Sequence, residues 1–155
     1  MRPLIKTLVE FMAVRYNSSL IMYKVTVFPI LRLFDLLRYL SFSNFVCFRK
    51  LRYLNLSYNQ ISDLKGFIEV KHSSHVLEQV ELFGNRISNL KHTLQCLRDC
   101  GHLKRITLQN KEDSNPVCSL PAYKPNMFSQ LTRLEILDGR DRVGNKKMPE
   151  IEIPG

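Results

Sequence analysis

The chain has 155 residues, 45% of them hydrophobic, and a formal net charge of +9. That suits one domain with a real core. The charge is spread without any run of about five or six cations, which excludes a basic nucleic-acid tail and reads as a solvated surface. The cysteines, Cys47, Cys96, Cys100 and Cys118, form no Cys-x-x-Cys pair, and His72, His75, His92 and His102 add no ligand spacing. No metal, cofactor or disulfide framework is expected, only free thiols in a reducing compartment.

Residues 1–48 come first. Lys6, Glu10, Arg15, Lys24 and Arg32 break the apolar runs. Neither a signal peptide nor a membrane-spanning helix of about 20 residues fits, and the chain reads as intracellular and cytoplasmic. The segment holds "LRYLSFSNFV" from Leu37, close in letters to "LRYLNLSYNQI" from Leu51. The two starts lie 14 residues apart, short of the roughly 20 that one solenoid coil needs. Leu33, Leu36, Leu37 and Leu40 fit helical spacing instead. The expectation for 1–48 is a non-repeat segment, helical or poorly ordered. It is either a helix masking the open end of the first coil or a segment foreign to the fold.

From Leu51 a period emerges. "LRYLNLSYNQI", "LEQVELFGNRI" from Leu77 and "LKRITLQN" from Leu103 start at steps of 26, and "LTRLEILDG" follows from Leu131 after 28. Leucine-rich repeats recur every 20–29 residues with the pattern L-x-x-L-x-L-x-x-N. Asn59 and Asn85 hold the asparagine position, each with isoleucine two places on. Leu51, Leu54 and Leu56, and likewise Leu77, Val80 and Leu82, are expected to point into a shared core, with the residues between them facing out. A buried amide at the turn satisfies backbone groups of successive coils because it both donates and accepts.

The return paths differ. After Asn85, Leu90, Leu94 and Leu97 share a helical face ending near Gly101. After Asn59, "DLKGFIEVKHSSH" predicts one helical turn and a loop. In the third coil Lys111 stands at the asparagine position, and "NKEDSNPVC" reads as an insertion before Asn115 resumes the turn. The asparagine ladder is expected to bulge or end there. "NPVCSLPAYKPNMFSQLTRLEILDG" reads as an atypical cap over the last coil. Leu120 and Tyr123 pack inward in that reading, and a final strand runs through residues 134–137. Residues 140–155 form a polar tail expected to be loosely held. The fold class is therefore an α/β leucine-rich-repeat solenoid over residues 49–139: a short curved parallel sheet with helical or loop returns and a C-terminal cap.

The cap "NP…Y…L..L..LD" resembles that of intracellular leucine-rich-repeat proteins. The combination of "NLKHTLQCL", the insertion before "NPVC" and the cap resembles, more narrowly, a family of centrosomal proteins that join such repeats to a coiled coil. That resemblance covers about residues 51–139 and implies a role in centriole structure or spindle-pole organisation. The family carries further repeats upstream and a coiled coil downstream. This chain shows neither, so it reads as an excerpt.

No nucleophile-base pair or glycine-rich phosphate loop occurs, so no catalytic residue is assigned and no enzyme is expected. The candidate working surface is the concave sheet face. Its rows are Arg52, Glu78, Lys104; then Tyr53, Gln79, Arg105, Arg133; then Asn55, Glu81, Thr107, Glu135; and Ser57, Phe83, Gln109 with Tyr58 beside them. The first row alternates in sign. Four cations (Arg52, Lys104, Arg105, Arg133) against three carboxylates (Glu78, Glu81, Glu135) leave +1, which argues against a phosphate-backbone groove. Tyr53, Tyr58 and Phe83 suit a protein partner, which the resemblance implies is centrosomal. The rival partner is an RNA-protein assembly of the splicing type.

Overall fold

The computed structural model describes residues 51–65, 67 and 77–147. It also describes the backbone of two strands, β1 (Val9–Tyr16) and β2 (Ser19–Val27). The further strands are β3 (Leu51–Asn55), β4 (Gln79–Glu81), β5 (Arg105–Thr107) and β6 (Ile136–Leu137). Among the described residues they form one sheet in the order β1-β2-β3-β4-β5-β6. β1 and β2 are antiparallel, and every later neighbour pair is parallel.

β1 and β2 correct the expectation of a helical or poorly ordered segment for residues 9–16 and 19–27. Their sequences, VEFMAVRY and SLIMYKVTV, are dense in β-branched and aromatic residues that fit a pleated surface. Two residues separate them, a common hairpin spacing. The helix expected through Leu33 and Leu40 lies outside the described residues, as does most of "DLKGFIEVKHSSH".

The core follows the leucine spacing. Leu54 and Leu56, Val80 and Leu82, and Ile106 and Leu108 are all buried, stacking coil on coil because adjacent strands pair in register, Leu54 with Val80 and Val80 with Ile106. Ile61, Ile87 and Val117 repeat at the turn, linked by Arg86 N–H to Ile61 O at 2.8 Å and Val117 N–H to Ile87 O at 2.9 Å. The second return is helix α1 (Leu90–Leu97), opened by Asn89, whose side chain accepts from His92 N–H at 3.0 Å. Leu94, Cys96 and Leu97 enter the core. Gly101 lies past the helix end without a left-handed φ, so the stop does not depend on a glycine cap.

Three expectations about the cap change. First, the cap holds a helix, α2 (Tyr123–Gln130), after a 3-10 turn at Pro116–Ser119. Pro125 is tolerated because it falls in the first turn, where no intrahelical N–H is needed. Tyr123 and Met127 are buried, while Leu120 stays 41% exposed.

Second, the last strand is slipped by three residues. Arg105 pairs with Ile136 and Ile106 with Leu137. One backbone bond recurs through the sheet: Glu78 N–H to Arg52 O at 2.9 Å, Lys104 N–H to Glu78 O at 2.9 Å, Glu135 N–H to Lys104 O at 2.8 Å. Glu135 therefore stands where Lys104 does, and the last repeat counts its register from Leu134, not from Leu131.

Third, residues 140–147 fold back over the cap. The Arg142 guanidinium donates to the carbonyls of Phe128 (2.7 Å), Thr132 (3.0 Å) and Leu134 (3.1 Å) and lies 5.2 Å from the Phe128 ring centroid. A cation at the C-terminal end of α2 meets the unpaired carbonyls and the negative pole there. That holds a segment whose sequence carries no apolar pattern.

Candidate interaction surface

The turn amides set the spacing of the face. Asn85 accepts the Ile61 N–H at 3.0 Å and donates to Leu56 O and Leu82 O, both at 2.9 Å. Asn115 repeats this one coil later, accepting Ile87 N–H at 3.0 Å and donating to Leu82 O and Leu108 O, both at 2.8 Å. Asn59 donates to Leu56 O at 2.8 Å and to Ser57 O at 3.2 Å. The ladder thus continues through the insertion. Residues 110–114 loop outward on Asn110, whose side chain accepts from Glu112 and Asp113 N–H. Gln109 and Ser114 bridge across the base.

With the slip, the first concave row reads Arg52, Glu78, Lys104, Glu135. Arg52 Nη2 meets Glu78 Oε2 at 2.8 Å, and Lys104 Nζ lies 3.9 Å from Glu135 Oε1. These half-exposed pairs contribute little stability each, but they leave the row balanced. Arg133 leaves the face: it is exposed and donates instead to Gly101 O. Glu135 moves out of the row of Asn55, Glu81 and Thr107, and Asp138 follows Thr107 there.

The second row is buried at its first two positions. Tyr53 is 3% and Gln79 6% exposed, so neither is an open contact residue. The Tyr53 hydroxyl lies among the side chains of Glu81 and Asn55, and Gln79 Nε2 donates to Glu81 Oε1 at 3.0 Å. Burial, then the Glu81 charge, pushes the Tyr53 phenol well above its ordinary range. Burial likewise raises the Glu81 carboxyl, against the lowering effect of its Gln79 and Tyr53 hydrogen bonds. Asn55 also accepts from Ser57 N–H at 2.9 Å, and Ser57 is buried. Arg105, Thr107, Phe83 and Gln109 are half-buried.

Among the described residues, Tyr58 is the exposed aromatic side chain. Tyr58 is 54% exposed and stacks edge-on against Phe83 with centroids 5.3 Å apart. Tyr58 has φ +56 and Gly84, its equivalent one coil on, φ +72. A Cβ on Gly84 would sit 2.8 Å from the Tyr58 ring. Glycine there serves both the backbone and the stack.

Asp138, the aspartate that ends the cap pattern, joins the cap to the face. Its Oδ1 accepts Leu108 N–H at 2.8 Å, and its Oδ2 accepts Gln109 Nε2 at 3.0 Å and the Tyr123 hydroxyl at 2.9 Å. The "LDG" ending of the cap was the available signal. Cys96, Cys100 and Cys118 are free thiols. Burial raises Cys96 to about 11 and Cys100 to about 12, which removes them from nucleophilic chemistry at neutral pH. Among the described residues, no group of His, Cys, Asp and Glu could hold a metal, and no helix is long and apolar enough to cross a membrane.

No family model matches the chain. It is similar to the human "Leucine-rich repeat and coiled-coil domain-containing protein 1", 39% identical over 70 residues, which is 45% of this chain and 7% of that protein. The Xenopus laevis protein of the same name is 37% identical over 80 residues, 52% of this chain and 8% of the other. The Caenorhabditis elegans "Acidic leucine-rich nuclear phosphoprotein 32-related protein 1" is 31% identical over 106 residues, 68% of this chain and 44% of the other. Each match thus spans well under two thirds of the relative. A chain of the Drosophila melanogaster SNF/U2A′ complex superposes with TM-score 0.56 at 21% identity, covering 91% of this chain and 83% of that one. The fold is the leucine-rich-repeat solenoid.

Proposed function

We propose that this leucine-rich-repeat solenoid is a non-enzymatic protein-interaction module of a cytoplasmic, centrosome- or centriole-associated scaffold, engaging its partner on the concave face. The observation that carries the protein partner is the face itself. Its open row is charge-balanced through Arg52–Glu78 and Lys104–Glu135, and its exposed anchor is the Tyr58–Phe83 pair, the composition of a protein contact rather than of a phosphate groove. The centrosomal setting rests on the similarity to proteins that combine leucine-rich repeats with a coiled coil. The likeness to the U2A′ complex chain is one of fold and does not favour an RNA-protein assembly.

Proximity labelling in cells expressing the tagged chain tests the reading. Enrichment of centriolar proteins, unchanged by nuclease, is expected. Enrichment of splicing particles lost with nuclease would replace it with the RNA-protein alternative.

A further inference from the structure

The open row is balanced, yet the cap end of the face is not. A cleft of about 640 Å³ opens there, floored by Gln79, Glu81 and Asp138. Its walls carry Lys111 from the looped-out insertion, Lys124 from α2, and Arg140, Lys146 and Lys147 from the segment that folds back over the cap. Lys147 lies 3.7 Å from Asp141. The other wall lysines, Lys111, Lys124 and Lys146, are exposed. Cations from three separate parts of the chain are thus gathered on one opening, although the chain as a whole spreads its charge thinly.

The floor adds an independent sign. Gln79 is 6% exposed, and its amide orientation is fixed because Nε2 donates to Glu81 Oε1 at 3.0 Å. Turning the amide would set oxygen against carboxylate. Gln79 Oε1 is then enclosed, and no donor reaches it among the described residues. A buried acceptor without a donor is destabilising and uncommon in a folded protein. An N–H brought by something that enters the cleft would satisfy it once the side chains covering the oxygen part.

Resting on the reading of the concave face as an interaction surface, we propose that this cleft receives an acidic, extended segment of the protein partner. Its carboxylates meet Lys111, Lys124 and Lys146, and one of its backbone N–H groups completes Gln79. Extended peptide supplies both features at once, carboxylates along the rim and amide donors between them. A nucleic-acid backbone supplies the anionic groups but no row of backbone amide donors.

The test uses the full chain and two fluorescent probes at about 0.15 M salt: a peptide of alternating glutamate and glycine, and a uridine oligomer of equal charge. Anisotropy is expected to show saturable peptide binding tighter than the oligomer. Lys111→Glu with Lys124→Glu is expected to weaken it by about tenfold or more while leaving the circular dichroism unchanged. Gln79→Met is expected to weaken it about fivefold. The surface double variant decides the matter should Gln79→Met fail to fold. Equal or tighter oligomer binding, no saturable peptide binding, or peptide binding indifferent to the lysine reversal each overturns the proposal. If wild-type chain labels a protein set that the double variant labels equally, this cleft is wrong and the interaction reading stands. If the wild type labels no protein partner at all, both fall.

Discussion

The side-chain amides of Asn85 and Asn115 meet at a single atom: both donate to the Leu82 carbonyl, at 2.9 and 2.8 Å. That shared acceptor couples the second and third coils through side chains as well as through the sheet. Asn85→Ala strands the Ile61 N–H and removes donors from Leu56 O and Leu82 O. At about 1–3 kcal/mol for a buried group left unpaired, each of Asn85→Ala and Asn115→Ala is predicted to lose about 3 kcal/mol or more in urea melts. A loss below about 1 kcal/mol at Asn115 would show that the insertion had detached it from the ladder.

Gly84→Ala is predicted to destabilise by about 1–3 kcal/mol, combining a left-handed φ with the Tyr58 ring at 2.8 Å from the new Cβ. The two causes separate in a double-mutant cycle. With Tyr58→Gly in the background, the clash is gone and only the backbone strain remains, so the alanine should cost less. Additive losses would mean that the ring does not press on position 84.

How much of this was legible follows from which groups speak through spacing. The coils from Leu51 onward were readable because one pattern binds the core leucines to the buried asparagine, and both recur together. The final register was not. Leu131, Leu134 and Leu137 offer two ways to begin a strand, and the choice is made by how many residues α2 consumes, a helix that Pro125 conceals. Tyr53 and Gln79 sit at outward positions and are nonetheless buried, because their side chains lie over the face into a network centred on Glu81. Arg142 left no pattern at all, since its partners are backbone carbonyls.

Arg142→Ala therefore tests a contact that no residue pairing announces. Removing a guanidinium from three carbonyls and an aromatic ring is predicted to lower stability by about 2 kcal/mol, with hydrogen exchange accelerating in α2. Arg142→Lys should recover only part of it, because one ammonium cannot span the same carbonyls. Full recovery by lysine would reduce the contact to charge alone.

Glu81 sets a pH dependence of defined sign. Its folded carboxyl lies above the ordinary 4.5, chiefly through burial. The folded state therefore binds a proton more readily than the unfolded chain across the window that opens at 4.5. In that window stability falls as pH rises. Asp63 and Asp141 act in the opposite sense: desolvation, the largest single influence on each, raises them, but hydrogen bonds and neighbouring cations together outweigh it and leave both lowered. The difference between wild type and Glu81→Gln isolates the first effect: melting temperatures should diverge in favour of the variant as pH rises through the window. Parallel curves would exclude a raised Glu81.

Thiol labelling resolved by mass spectrometry at about pH 7.5 should leave Cys96 and Cys100 unmodified in the folded chain and label both in denaturant. Fast labelling of Cys100 in the native protein would contradict its 4% exposure.

The looped-out residues 110–114 have a consequence for how such an array can change. Asn115 recovers the ladder position whatever the excursion before it, so the solenoid keeps count by rungs and not by residues. Length can be added between Gln109 and Asn115 without altering the curvature of the sheet, while Lys111 carries the inserted chemistry to the mouth of the cleft. The scaffold and its reach are therefore separately adjustable, and this loop is the place to graft a new specificity.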